Sequence, residues 1–168
     1  MAGAGHDSRP AMPAPVRLWL EIAHHPAFRI GGWAFVRQSA GAVTGSAGGE
    51  RRVDPERIAL QALSAALAGL PPGAAVELHA SSPLILGIPG RITDAGSGDD
   101  PPTETLDLWA KTATALRAGD IVFRPAQQPP GGPSAFTAAW AEFAQGRAKD
   151  RGAFSAPIPK VNLAKAGV

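Results

Sequence analysis

The chain has 168 residues, a net charge of +2 and 45% hydrophobic residues, which suits one domain with a single core plus tails. It contains no cysteine, which excludes disulfides and thiolate zinc sites and accords with a reducing, cytoplasmic setting. No stretch approaches the roughly 18 apolar residues of a membrane span.

Residues 1–15 hold His6, Asp7 and Arg9 among prolines and small residues. They lack the apolar block of a secretion signal and read as a disordered leader. The first strand follows at Val16–Ala23. Val16, Leu18 and Leu20 take one face, Arg17 and Trp19 the other, and Glu21 ends the alternation. Gly31 and Gly32 open a second run, Trp33-Ala34-Phe35-Val36, close enough to return as an antiparallel hairpin. In the small-residue stretch 39–49 only a short edge strand around Ala42–Thr44 is predicted.

Asp54-Pro55-Glu56 reads as a helix start, with an N-cap, a proline at the first helical position and an acid in the first turn. That helix should run to about Leu70, where Pro71-Pro72-Gly73 stops it. Leu60, Leu63, Leu67 and Leu70 make its core stripe, and Ala59, Ala62 and Ala66 permit close approach to a sheet. Ala75–Ala80 is a further strand, followed by a short helix over Leu84–Ile88 that Pro89-Gly90 should end. Residues 93–102 are predicted to be mobile.

A helix from about Thr103 to Arg117 precedes a short strand, Ile121-Val122-Phe123, and the proline/glycine loop Pro125–Pro133. Ser134 should cap a last helix in which Phe136, Ala139, Trp140 and Phe143 form the buried face. The segment 150–168 is a basic, proline-containing tail without helical or strand period. Its Phe154, Ile158, Val161 and Leu163 suit docking as an extended strand, on the domain or on a partner. Three antiparallel strands followed by helix-crossed strands predict an α/β domain with a mixed sheet.

Several residues invite a chemical reading. Adjacent His24 and His25 diverge and have no third ligand at a metal-binding spacing. His79 near Ser81-Ser82 lacks an orienting acid, and a helix N-cap accounts better for Ser82. Gly31-Gly32 leads into a strand, not a helix, and is no phosphate loop. Arg37, Arg51 and Arg52, at the ends of antiparallel strands, suit either phosphate contacts or ordinary surface charge.

The order of elements and particular residues resemble the ribonuclease H family across about Val16–Lys149. Glu21 ends the first strand, a Pro26 turn follows, and Gly31-Gly32-Trp33-Ala34 looks like the family's glycine-glycine-aromatic motif. Val76–Ser82 looks like its fourth strand, Leu106-Asp107-Leu108-Trp109 like its Asn-x-Asp-Leu-Trp helix, and Ala141-Glu142-Phe143-Ala144 like its last helix. The family cuts the RNA strand of RNA–DNA hybrids with two magnesium ions held by four carboxylates.

Carried over position by position, the resemblance leaves one of the four acids. The strand-end aspartate is Glu21, the first-helix glutamate falls at Ala59, the fourth-strand aspartate at Ser81, and the last-helix aspartate at Ala139 or Ala141. Glu56, three residues before Ala59, is the available rescue, and Asp94, Asp99 and Asp100 lie in an irregular loop. The family's histidine loop corresponds to Pro125–Pro133, with Gln127 and Gln128 but no histidine.

The expectation is therefore a ribonuclease H-like mixed five-stranded sheet flanked by helices, with a leader at 1–15, a domain at 16–149 and a tail at 150–168. The expected function is a catalytically inactive member that binds nucleic acid, an RNA–DNA hybrid or duplex, or else a protein partner, through the former substrate face. Arg37, Arg51, Arg52 and Ser82 are the candidate nucleic-acid contacts. No metal ligand set and no cofactor are expected, and magnesium enters only with the alternative, an active ribonuclease H with a rebuilt site.

Overall fold

The computed structural model describes residues 15–96, 106–127 and 132–168. The expected leader, the acids Asp99 and Asp100, and Gln128 lie outside the described residues. Three long strands come first: β1 (Val16–His25), β2 (Ile30–Ser39) and β3 (Ala42–Arg51). Helix α1 (Pro55–Leu67) leads to β4 (Ala75–Ala80), and α2 (Pro83–Leu86), α3 (Ile88–Gly96) and α4 (Leu106–Arg117) precede β5 (Asp120–Pro125). The chain ends with α5 (Pro133–Arg151), β6 (Phe154–Pro157) and α6 (Lys160–Leu163).

Among the described residues the sheet has six strands in the order β5-β4-β1-β2-β3-β6, one more than expected. β1, β2, β3 and β6 are antiparallel neighbours, whereas β4 runs parallel to both β1 and β5. Each crossover to β4 and β5 passes through helices, as parallel pairing requires.

Two cores lie on opposite faces of the sheet. On one, Leu18, Leu20, Phe35 and Leu78 meet the α1 residues Ile58, Leu60 and Leu63, with Ile85, Ile88 and Trp109 from the later helices. On the other, Trp19, Ala34, Val36 and Ala47 meet Ala141 and Ala144 of α5 and Ile158 and Leu163 beyond it. The alternation read in β1 thus holds, except that Trp19 and Glu21, on the second face, are also buried.

Four local expectations are corrected. β3 is a full ten-residue strand, because its glycines admit neighbours that a Cβ would exclude. At Gly49 an added Cβ would lie 2.8 Å from both the Ala144 carbonyl oxygen and the Ala148 methyl. Pro89-Gly90 does not end a helix: Pro89 sits in the first turn of α3, where its missing N–H costs nothing.

The last helix is capped by Gly132 rather than Ser134. Its buried face is Ser134, Thr137, Ala141, Ala144 and Ala148, while Phe143 is 55% exposed. Small residues win there because α5 lies close on the glycines of β2 and β3. A Cβ on Gly32 would overlap the Ala141 carbonyl and the Gln145 amide.

The tail at 150–168 is not without structure. β6 pairs with β3 from Ser46↔Pro157 to Gly49↔Phe154, and the Ile158 N–H donates to the Gly45 carbonyl (2.9 Å). Ile158, Leu163 and Ala166 are buried against the second core. Among the described residues no helix is long and apolar enough to cross a membrane.

Candidate functional site

Glu21 does not end its strand as expected but is the sixth of the ten residues of β1, opposite Ala34 of β2 and one residue past the point where β1 leaves β4. The alternation that buries Leu18 and Leu20 against α1 turns Glu21 to the α5 face. It is 4% exposed. Ser81 follows β4 directly, and its backbone N–H and its hydroxyl both donate to Glu21 Oε1, at 3.1 and 2.9 Å. Burial pushes the Glu21 carboxyl above its ordinary value of 4.5, and the two Ser81 hydrogen bonds oppose that rise.

The other positions carried over from the resemblance do not bring acids to this point. Ala59 is buried in the α1 core, Ala141 is buried on the core-facing side of α5, and Ala139 is exposed. Glu56 is bound elsewhere: its Oε1 accepts from Arg91 Nη2 at 2.6 Å, and that guanidinium also lies over the Trp109 ring, 4.8 Å from its centroid. Asp94 falls within α3.

A magnesium pair requires several hard oxygen ligands converging within a few ångströms. Among the described residues no group of three histidine, aspartate or glutamate side chains could hold a metal ion. One oxygen of the retained carboxylate is already bonded to Ser81. The described residues do not fit such a pair.

The candidate nucleic-acid contacts have structural partners. Arg37 Nη1 donates to the carbonyls of Ala66 (3.1 Å) and Ala68 (3.0 Å) at the C-terminus of α1. Arg51 Nε donates to the Ala148 carbonyl (2.9 Å) and Nη2 to that of Lys149, at the C-terminus of α5. Positive side chains are favoured there by the helix dipole. Arg52 is exposed, with a left-handed φ of 55°. Ser82 is the N-cap of α2 but makes no side-chain capping bond.

The histidines divide. His24 Nε2 donates to the Val53 carbonyl at 2.7 Å, tying the end of β1 to the link between β3 and α1. His79 stacks on Trp19, with ring centroids 5.9 Å apart and planes at 17°. Its Nε2 lies 3.0 Å from Glu77 Oε1, which also faces Arg124 Nε at 3.5 Å. Arg17 covers the Trp19 ring from 5.0 Å.

These side chains border an open groove of about 590 Å³ that crosses β1, β4 and β5 and ends at Ser134 in the first turn of α5. By strand alternation it lies on the same sheet face as Glu21 and Ser81. Sequence reasoning missed both the groove and the Glu21–Ser81 pair. The parallel register that sets β4 beside β1 was the missing signal.

No family model and no curated protein matches the chain. Solved structures do. LC9-RNase H1, described as a type 1 RNase H with the type 2 active-site motif, is similar at 16% identity and a TM-score of 0.65, covering 96% of this chain and 88% of its own. The N-terminal RNase H domain of Rv2228c from Mycobacterium tuberculosis is similar at 14% identity and a TM-score of 0.62, covering 82% and 97%. LC11-RNase H1, solved in complex with an RNA/DNA hybrid, is similar at 16% identity and a TM-score of 0.56, covering 80% and 99%. The fold is RNase H-like.

Proposed function

We propose that this chain binds nucleic acid through the face around Glu21 and does not cleave it. The observation that carries the reading is the hydrogen bonding of Glu21 by Ser81. Ser81 stands where the resemblance places the fourth-strand aspartate. A donor there partly offsets the cost of burying the carboxylate, where a second acid would repel it. An RNA–DNA hybrid is the first ligand to test, since a fold neighbour was solved with one. The groove beside this face carries Arg17 and Arg124, a modest positive lining for a phosphate backbone.

The competing reading is a working hybrid-specific ribonuclease with a rebuilt metal site. It is favoured by the retention of an acid at Glu21 and by a fold neighbour whose active-site motif departs from that of its type. A third possibility, a protein partner on the same face, predicts no affinity for nucleic acid. Incubation of the full chain with labelled hybrid, in magnesium and then in manganese, separates the three. Salt-sensitive binding without cleavage is expected. Cleavage that disappears in Glu21→Gln would establish the enzyme, and absence of binding at low salt would remove the nucleic-acid reading.

A further inference from the structure

We infer that the outer edge of β5 is a self-complementary interface through which two copies of the chain pair antiparallel about Val122. β5 is a terminal strand of the sheet, and among the described residues no strand pairs with its outer side. The Asp120 N–H donates to the Ala74 carbonyl and the Ala126 N–H to the Ala80 carbonyl, both at 2.9 Å, so the even-numbered residues bond inward to β4. Alternation therefore turns the N–H and C=O groups of Ile121 and Phe123 outward.

An edge of this kind is a template for another strand, and its side chains decide which one. Asp120, Val122 and Arg124 lie on one face of β5, all exposed, with Val122 at 45%. In an antiparallel pair centred on Val122, Asp120 faces Arg124 of the second copy, and Arg124 faces its Asp120. Arg124 then lies between Glu77 of its own chain, already 3.5 Å from Nε, and the new carboxylate. Parallel pairing in register would set like charges opposite each other, a costly arrangement.

The backbone parity agrees with the charges. The same register places Ile121 opposite Phe123, so their outward N–H and C=O groups exchange hydrogen bonds on both sides of the axis. Pro125 has no N–H to extend the ladder, which limits pairing to this short segment. On the other face of β5, Ile121 and Phe123 border an open groove of about 510 Å³ with Leu86, Pro89 and Leu116. In the pair, that groove receives the apolar side chains of the second strand.

A six-residue edge is small for a permanent dimer, so association should depend on concentration. Sedimentation velocity of the full chain over a concentration series tests it. The parent should dimerise, Asp120→Lys and Arg124→Glu should each be monomeric, and an equimolar mixture of the two should dimerise again. Only the mixed pair restores opposite charges at both contacts. Circular dichroism checks that each variant is folded.

A second test needs no charge change. Val122→Cys places two thiols across the axis in a non-hydrogen-bonded pair, where Cα atoms are about 4.5 Å apart and a disulfide fits. The chain has no cysteine of its own. Mild oxidation should cross-link Val122→Cys rapidly and Asp120→Cys at least ten-fold more slowly. A parent that stays monomeric at every concentration, single variants that dimerise like the parent, or equal cross-linking at both positions would each overturn the inference.

Discussion

Ser81 donates twice to one oxygen of Glu21, from its backbone N–H and from its hydroxyl, and so joins the C-terminal end of β4 to the middle of its parallel neighbour β1 on the α5 face. The carboxyl is buried, and burial raises its pKa above 4.5. Below about pH 4.5 it is protonated in the folded and unfolded chains alike, and pH has no leverage. As pH rises above that value the unfolded chain loses the proton first, so this group lowers stability until the folded carboxyl also ionises. Glu21→Gln keeps the acceptor oxygen for Ser81 and removes the charge. The variant should be within about half a kcal/mol of the parent near pH 4, and relatively more stable at pH 7 than at pH 4. Urea unfolding at the two pH values measures this. A variant that is relatively less stable at pH 7 would mean that the carboxylate has a cationic partner.

The reciprocal substitution tests the donor. Ser81→Ala removes the hydroxyl bond and leaves the backbone one. At a pH where the folded carboxyl is ionised it should cost about 1.5–3 kcal/mol, the range for a hydrogen bond to a charged group. In the Glu21→Gln background the same change should cost about 1 kcal/mol, because the acceptor is then neutral. Equal costs in both backgrounds would show that Ser81 acts through some contact other than Glu21.

Much of the architecture is legible in the sequence. Val16–Leu20 and Ala75–Ala80 alternate cleanly, and Asp54-Pro55 marks a helix start that the structure reproduces. Only the first part of β3, Ala42–Thr44, was legible, since Gly45, Gly48 and Gly49 are there to admit neighbouring atoms and leave a small-residue composition without strand period. α5 misled for the same reason from the other side: its alanines meet those glycines, and its aromatic residues are left partly or largely outside. At the site, Glu21 was visible as an acid of the first strand, though it lies mid-strand rather than at its end, and Ser81 as a lost acid. That Ser81 donates to Glu21 depends on strand order, which no local pattern encodes.

Arg37 and Arg52 allow the structural and ligand-binding uses of arginine to be separated. Arg37 bridges two carbonyls at the end of α1, whereas Arg52 is exposed. Arg37→Ala should lower stability by about 1–2 kcal/mol and leave the salt dependence of hybrid binding unchanged. Arg52→Ala should be neutral for stability and, if that side chain meets a phosphate, reduce the salt slope by about one. Fluorescence anisotropy with labelled hybrid across a salt series, beside urea unfolding, reads both quantities. A flattened slope in Arg37→Ala would show that its guanidinium leaves the helix end for the ligand.

Gly32 tests how close α5 must lie to the sheet. A methyl there meets backbone atoms of Ala141 and Gln145, which cannot swing aside as a side chain can. Gly32→Ala should therefore cost about 3 kcal/mol, at the upper end for overpacking, because the whole helix must move off the sheet. At Gly31 the obstructing atoms belong to the buried, β-branched Ile58 of α1, whose stiff side chain must shift within the core, so Gly31→Ala should also be costly, though less so than moving a whole helix. Thermal unfolding of the two variants side by side gives the comparison. Equal losses would mean that α5 yields as easily as one isoleucine.

The C-terminal segment bears on stability first and on partners second. Its sequence suited docking either on the domain or on another protein. The structure docks it on the domain: β6 covers the edge of β3, and Ile158 (3% exposed) and Leu163 (7%) fill the second core beside Ala47 and Ala144. Each of these side chains is worth about 1.5–3 kcal/mol on burial, so removing residues 153–168 should cost about 3–6 kcal/mol, a large part of a typical domain's stability. The truncation also uncovers β3, leaving a glycine-rich edge open to other strands. Ile158→Ala is the gentler test, with an expected loss of about 2–4 kcal/mol and no change in the far-ultraviolet circular dichroism of the folded state. If the truncated chain unfolds at the same urea concentration as the parent, the segment contributes nothing to the fold, and its apolar residues belong to an interface with another molecule.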